Sequence, residues 1–201
     1  GVGDTGDARH LSMRVGRSER TWVRNCIAIG LSQGFIEPLE ATALHIVQST
    51  IEGACAALDR SSDVGIDRAR DDFNAAIGAR YDGIRDYIVA HYRLNQRSDS
   101  AYWRANAANQ ALSDNLKAMM TAWFTGADLE AEIARLGIGG YYSAVSWHCL
   151  LAGYGTFPAD AKMTPPEPGL PVADMAAIDA FVAGCALNFE DHAARVDGMT
   201  A

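Results

Sequence analysis

The order of residues predicts a mainly α fold with a short β segment at its start. Three observations carry this. Beyond Pro38 apolar residues recur at three-and-four spacing over most of the chain, and before it they alternate or run short between glycines. Ser or Asp stands just ahead of several periodic stretches, where a side-chain oxygen caps free helix amides.

Composition permits such a fold and excludes others. The 201 residues are 49% apolar and 21% charged, enough for one ordinary core or one domain with part of another. A net charge of −8 without a dense Lys/Arg run argues against binding nucleic acid. No apolar stretch is long enough to span a membrane, and the start has no charged-then-apolar signal pattern, so a cytoplasmic protein is expected. Cys26, Cys55, Cys149 and Cys185 lie far apart without ligand spacing. They are expected to be buried thiols, with no metal site.

The formal GxGxxG at Gly1, Gly3 and Gly6 lacks the buried strand before it and the helix after it that a nucleotide loop needs, and reads as a flexible end. Residues 9–16 alternate as a half-exposed strand does, Thr21–Val23 resumes a strand, and Cys26–Leu31 reads as a fully buried strand. One hairpin and one strand do not close a core. The helices follow: Thr42 to Leu58, Asp67 to Leu94, one from Asp99, Ser113 to Phe124, Asp128 to Leu136, and Tyr141 to Leu151. A proline-rich linker over 164–171 leads to a last helix from Asp174 to about Val196. The expected divisions are therefore a β segment over 1–40, a helical module over 41–158, and a linker with terminal helix over 159–201.

The segment Ser32–His45 carries the most chemistry. A strand leaves through Gly34, turns at Pro38 and becomes a helix near Ala41, an arrangement that presents free amides and the positive end of a helix dipole. An anion or the electron-rich edge of a flavin suits that position. Glu37 and Glu40 flank the turn: either both simply suit the dipole, or one caps the helix while the other faces a cavity. Tyr141, Tyr142 and Trp147 are candidates to line an aromatic cavity, or to be ordinary core. Arg93, Arg97 and Arg104 with Asp86 and Asp99 read as a structural ion-pair set, with Trp103 anchoring that turn in the core. His45 and His91 read as packed or capping histidines.

Three ordered stretches, NCIAIGLSQGFIEPLEATALH over 25–45, HYRLNQRSDSAYWR over 91–104 and SWHCLLAGYG over 146–155, resemble the tryptophan halogenase family of flavin-dependent enzymes. The resemblance runs from about Arg9 to Pro158. It implies an enzyme that uses reduced FAD and oxygen to oxidise halide, and delivers hypohalous acid to an electron-rich aromatic substrate. By position in EPLEAT, the family's glutamate beside the reacting ring corresponds to Glu40. The backbone amides of Thr42 and Ala43 correspond to the positions that hold halide next to the flavin. The β segment then becomes a remnant of an FAD-binding α/β domain, and a flavin reductase is the implied partner.

The departures matter as much. Ala41 and Ala43 stand where tryptophan-specific members carry Ser and Gly, and alanine has less freedom of backbone angle. The helix after the Tyr-Tyr pair lacks the glutamate and bulky aromatics of substrate-selective members, so an indole, phenol or pyrrole is as well supported as free tryptophan. No dinucleotide loop, Trp-x-Trp-x-Ile-Pro signature or counterpart of the catalytic lysine is found, since Lys117 and Lys162 are the two lysines. A missing N-terminal half, and a fragment inactive alone, are therefore expected. An uncovered apolar edge over residues 9–34 would also leave room for a homodimer. The alternatives are a related flavin monooxygenase without halide chemistry, and a non-catalytic helical interaction module.

Overall fold

A computed structural model describes residues 12, 14–37, 39–159 and 175–186, and of Glu40, Met175 and Ala186 the backbone alone. The chain divides into two compact units, Gly1–Met163 and Thr164–Ala201. The fold is mainly α, as the periodicity predicts.

In the first unit the β segment is slight. Strands β1 (Gly16–Arg17) and β4 (Gly34–Phe35) pair antiparallel, as do β2 (Trp22–Val23) and β3 (Cys26–Ile27). Gly34 is required where β4 meets β1: a Cβ there would lie 2.7 Å from the Gly16 carbonyl oxygen. Of the expected strand over 9–16, residues 9–11 and 13 lie outside the described residues, and of the rest only Gly16 is strand.

The buried strand over Cys26–Leu31 is not found. Only Cys26–Ile27 is strand, the chain then coils through a 3-10 turn at Gly30–Ser32, and Leu31 is 82% exposed. The hairpin has one apolar face to rest on, and Trp22 and Ile27 occupy it. Ile29 and Leu31 are left outside. The cysteine expectation fails as well: Cys26, Cys55, Cys149 and Cys185 are all exposed. They lie on the outward sides of their elements, a choice that spacing alone does not reveal.

Helices α1 (Thr42–Val64) and α2 (Ile66–Leu94), about 34 and 43 Å long at 1.5 Å per residue, pack as a hairpin joined at Gly65. Helix α1 continues past the expected Leu58, because Gly65 is the first residue that interrupts it. Ile46, Thr50, Ala54 and Ala57 form its inner face against Phe73, Ile77, Tyr81 and Ile84 of α2. The opposite side of α1 leaves Leu44, Ile51 and Leu58 exposed.

Two polar side chains, half-buried Asn74 and buried Gln33, seat the β segment on this hairpin. Asn74 Oδ1 accepts from the backbone amides of Thr21 at 2.9 Å and Trp22 at 2.7 Å, and its Nδ2 donates to the Trp22 carbonyl at 2.9 Å. Gln33, 1% exposed, donates to Thr21 Oγ1 at 3.1 Å and accepts from Thr50 and Tyr81 hydroxyls at 3.4 Å each. A fully paired amide of this kind specifies one register, whereas an unpaired one would be expensive to bury.

Helices α3 (Ala101–Ala107), α4 (Asp114–Thr125), α5 (Leu129–Leu136) and α6 (Ala144–Gly153) complete the unit. Ser100, Ser113, Asp128 and Ser143 each accept a first-turn amide, and each such cap stabilises by about 1 kcal/mol. Helix α6 begins three residues later than Tyr141, because Ser143 supplies the cap and the tyrosines form the turn before it. The expected ion-pair set holds in part. Arg97 pairs with Asp99 at 2.7 Å, but Arg93 and Arg104 donate to the carbonyls of Ala107 and Ser98. Asp86 is held instead by Arg85 at 3.1 Å and by the Ser113 hydroxyl at 2.6 Å. Trp103 is half-buried rather than in the core, under the Arg97 guanidinium.

A second core forms around Tyr87, Leu94, Leu116, Met119, Ile133 and Trp147, so α2 contributes to both cores. In the second unit α7 spans Met175–Ala186, with Phe181 72% exposed. The remainder of the expected terminal helix and the proline-rich linker lie outside the described residues. Among the described residues no helix is long and apolar enough to cross a membrane.

Candidate active site

The strand-to-helix turn predicted at Pro38 is present. After β4, residues Leu39–Ala41 form one 3-10 turn and α1 begins at Thr42. Ile36 and Leu39 pack against the core of the helical hairpin and hold the turn down. Glu40 lies within the 3-10 turn, and its side chain is outside the described residues.

Ala41 adopts φ 52°, ψ 28°, the left-handed region, immediately before helical Thr42. Lacking a Ser or Gly here does not prevent the conformation; the alanine takes it at about 1–2 kcal/mol. A left-handed residue followed by a right-handed one turns successive N–H groups toward a common point, an anion-binding concavity. Ala41 has no side-chain oxygen to cap the amides that follow. Thr42 is buried, its hydroxyl 3.5 Å from the Leu39 carbonyl, whereas Ala43 is exposed. Beside Ala43 a largely apolar cavity of about 160 Å³ runs past Gly34, Phe35, Ile36 and Tyr81.

Replacing Ala41 by Gly removes the Cβ penalty while adding disorder to the unfolded chain. The expected result is a net gain of up to about 1 kcal/mol, read as a higher urea midpoint. A lower midpoint would mean that Ala41 is not held left-handed in solution.

The aromatic candidates meet, although around almost no space. Tyr142 stacks on Tyr87, with centroids 3.7 Å apart and planes 13° apart, and Trp147 stands edge-on to Tyr87 at 4.8 Å. Tyr141 lies over Gly83, where a Cβ would overlap its ring, and under the Arg80 guanidinium at 5.7 Å. The cavity that Tyr141, Tyr142 and Trp147 share with Gly83 and Asp86 holds about 10 Å³, room for one water. His91 Nδ1 lies 3.2 Å from the Tyr154 hydroxyl, and His45 Nε2 lies 3.3 Å from Arg80 Nη1.

Sequence reasoning singled out Glu37 without a partner, and the structure supplies one. The Tyr92 hydroxyl, from the last turn of α2, donates to Glu37 Oε1. Burial first, and then the neighbouring carboxylate, push the Tyr92 phenol well above its ordinary range, so it stays a donor at any physiological pH. Burial likewise raises Tyr81, opposed by Arg17. Tyr87 and Gly83 also escaped the sequence reading. The available signal was their place on the inner side of α2, four residues apart and just ahead of the His91–Arg104 stretch. Among the described residues no cluster of His, Cys, Asp or Glu is arranged to hold a metal.

Fold and turn together define a helical module resting on a strand–turn–helix element whose first helical amides have no side-chain cap. The chain belongs to the tryptophan halogenase family, whose model matches residues 3–165. It is 35% identical over 178 residues to 7-chloro-L-tryptophan 6-halogenase KtzR of Kutzneria sp. (strain 744), covering 86% of this chain and 33% of that protein. It is 31% identical over 165 residues to tryptophan 7-halogenase RebH of Lentzea aerocolonigenes, covering 77% of this chain and 31% of that one. The solved structure of BrvH, a flavin-dependent halogenase from Brevundimonas sp. BAL3, superposes with a TM-score of 0.74 at 26% identity. That match covers 96% of this chain and 38% of BrvH. The chain thus spans about a third of the length of the curated relatives it matches.

Proposed function

We propose that this chain is the C-terminal, substrate-side part of a flavin-dependent halogenase acting on an electron-rich aromatic, tryptophan or indole-like. The left-handed Ala41 ahead of Thr42 and Ala43 is the observation that carries the reading. A halide needs converging amides rather than a side chain, and this turn offers them without a lysine or arginine.

The residues here suit one edge of a flavin but not its ADP half. The amides and the apolar cavity beside Ala43 fit an anion next to a ring, and a Gly-rich pyrophosphate loop is absent among the described residues. Bound FAD, once reduced, would supply the activation of oxygen. Its dinucleotide end, and the flavin reductase that reduces it, belong to the rest of the enzyme and its partners, and we place the whole in the cytoplasm.

In this reading the Thr42 and Ala43 amides hold the halide. The Glu40 carboxylate stabilises positive charge on the attacked ring and takes the ring proton. Tyr141, Tyr142 and Trp147 face the ring of the substrate. For a ring to lie among them, Tyr141 must swing off Gly83, since the resting cavity is too small. Residues 1–40 are a remnant of the flavin-binding domain, and 41–158 act as the helical substrate-side module.

The test uses the holoenzyme containing this region, with reduced FAD, oxygen, bromide and indole, and mass spectrometry of the product. A brominated ring that vanishes when bromide is omitted is expected. A hydroxylated product formed without halide would replace this reading with the monooxygenase one.

A further inference from the structure

The turn that precedes the Thr42 and Ala43 amides is gripped by a side chain from the far end of α2. Glu37 and Tyr92 are 55 residues apart, yet the Tyr92 hydroxyl donates directly to Glu37 Oε1. Both side chains are half-buried.

Tyr92 is itself immobilised. Its ring stacks on Trp103, centroids 5.9 Å apart and planes 19° apart, and Tyr102 closes on it edge-first at 6.3 Å. Asn95 Nδ2 donates to the carbonyls of both Tyr92 and Trp103, which ties the last turn of α2 to α3. Arg97 covers Trp103 at 4.6 Å and is held there by Asp99. The result is a stiff aromatic post whose tip is one hydroxyl.

Anchoring the loop does not require this post. Ile36 and Leu39 already bury the turn by apolar contact. A half-buried carboxylate loses hydration, and a neutral phenol returns one hydrogen bond without neutralising the charge. Directional control is what the pair adds. It fixes the chain four residues before Ala41, and a left-handed alanine persists only where its surroundings over-determine it. On the other side α1 is packed from Thr42 onward, and to the non-directional contact of Leu39 the Glu37–Tyr92 bond adds a fixed direction.

We propose that Glu37 and Tyr92 are a positioning pair, holding Ala41 left-handed so that the Thr42 and Ala43 amides stay aligned for an anion. This rests on the reading that those amides bind the halide. Neither residue touches the reacting atoms.

The test compares wild-type holoenzyme with Tyr92→Phe, Glu37→Ala, Glu37→Gln and the Tyr92→Phe/Glu37→Ala double variant, using bromide as the halide. Tyr92→Phe and Glu37→Ala should each raise the bromide KM about tenfold, the loss of one charge-assisted hydrogen bond. The KM for indole and kcat at saturating bromide should stay within about twofold of wild type if, as proposed, only anion alignment is lost. Glu37→Gln keeps an acceptor without its charge and should fall between wild type and Glu37→Ala, and the double variant should be no worse than either single one. The backbone carbon shifts of Ala41, read by NMR on alanine-labelled enzyme, should move away from left-handed values in Tyr92→Phe. An unchanged bromide KM, a rise that follows melting temperature and indole KM together, or unmoved Ala41 shifts would each overturn the pairing role. Wild-type enzyme without any bromide dependence would instead overturn the halogenase reading, and the Ala41 shifts would still judge the restraint.

Discussion

In the holoenzyme, Glu40→Gln should lower product-forming kcat by about 10²-fold or more, the loss seen when a positioned acid–base group is removed. Flavin should still be oxidised at close to the wild-type rate. The two outcomes separate because they draw on different groups. Holding the halide is assigned to backbone amides at Thr42 and Ala43, which the substitution leaves in place. Stabilising and deprotonating the attacked ring is assigned to the carboxylate, and a glutamine has neither charge nor basicity. The measurement is halogenated product per flavin oxidised. If Glu40 merely complements the dipole of α1, the change should cost about 0.3–1 kcal/mol of stability and leave that ratio intact. An unchanged ratio would therefore return Glu40 to a helix-start acid and remove the proposed proton acceptor.

Trp22→Ala should be the most destabilising substitution in the β segment, by about 3–5 kcal/mol, with the melting temperature lowered on the order of 10 °C. Trp22 is 4% exposed and stands edge-on to Phe73 at 5.8 Å, with the Arg70 guanidinium 5.8 Å from its ring. Its indole N–H donates to the Arg24 carbonyl at 3.0 Å, so truncation also orphans a turn acceptor. Two-residue strands in two separate pairs have little cohesion of their own. The anchor is Trp22 together with the Asn74 clamp. Far-UV circular dichroism should change little at low temperature, since α1 and α2 retain their mutual packing, while the unfolding midpoint falls. A midpoint within about 1 kcal/mol of wild type would show that the β segment does not depend on this anchor.

Much of the helical order was legible because its causes are local. Ser113 and Asp128 announce helix starts by a bond to an amide three residues on, and that spacing is visible in the chain. The turn at Pro38 and the helix from Thr42 were readable from the proline and the apolar period after it, since no side chain caps α1. The span of α2 follows from Phe73, Ile77, Tyr81, Ile84 and Ile88, whose period needs no knowledge of what they face. The apolar run from Cys26 to Leu31 misled because a run of that kind says only that burial would be favourable. Whether a covering layer exists depends on another part of the protein, and here Leu31 has none.

The sequence by itself determined the helical periods, their caps, the turn into α1 and the family that these motifs mark. Tertiary structure alone decided that Ala41 is left-handed, that Glu37 meets Tyr92, that Asn74 clamps Thr21 and Trp22, and that Tyr141 closes over Gly83. The physical reason is range. Hydrogen-bonded periods and caps act over three or four residues and are written in neighbouring letters. Partners 52–55 residues apart are chosen by which helix faces meet, and an αL backbone is chosen by what packs on both sides of it.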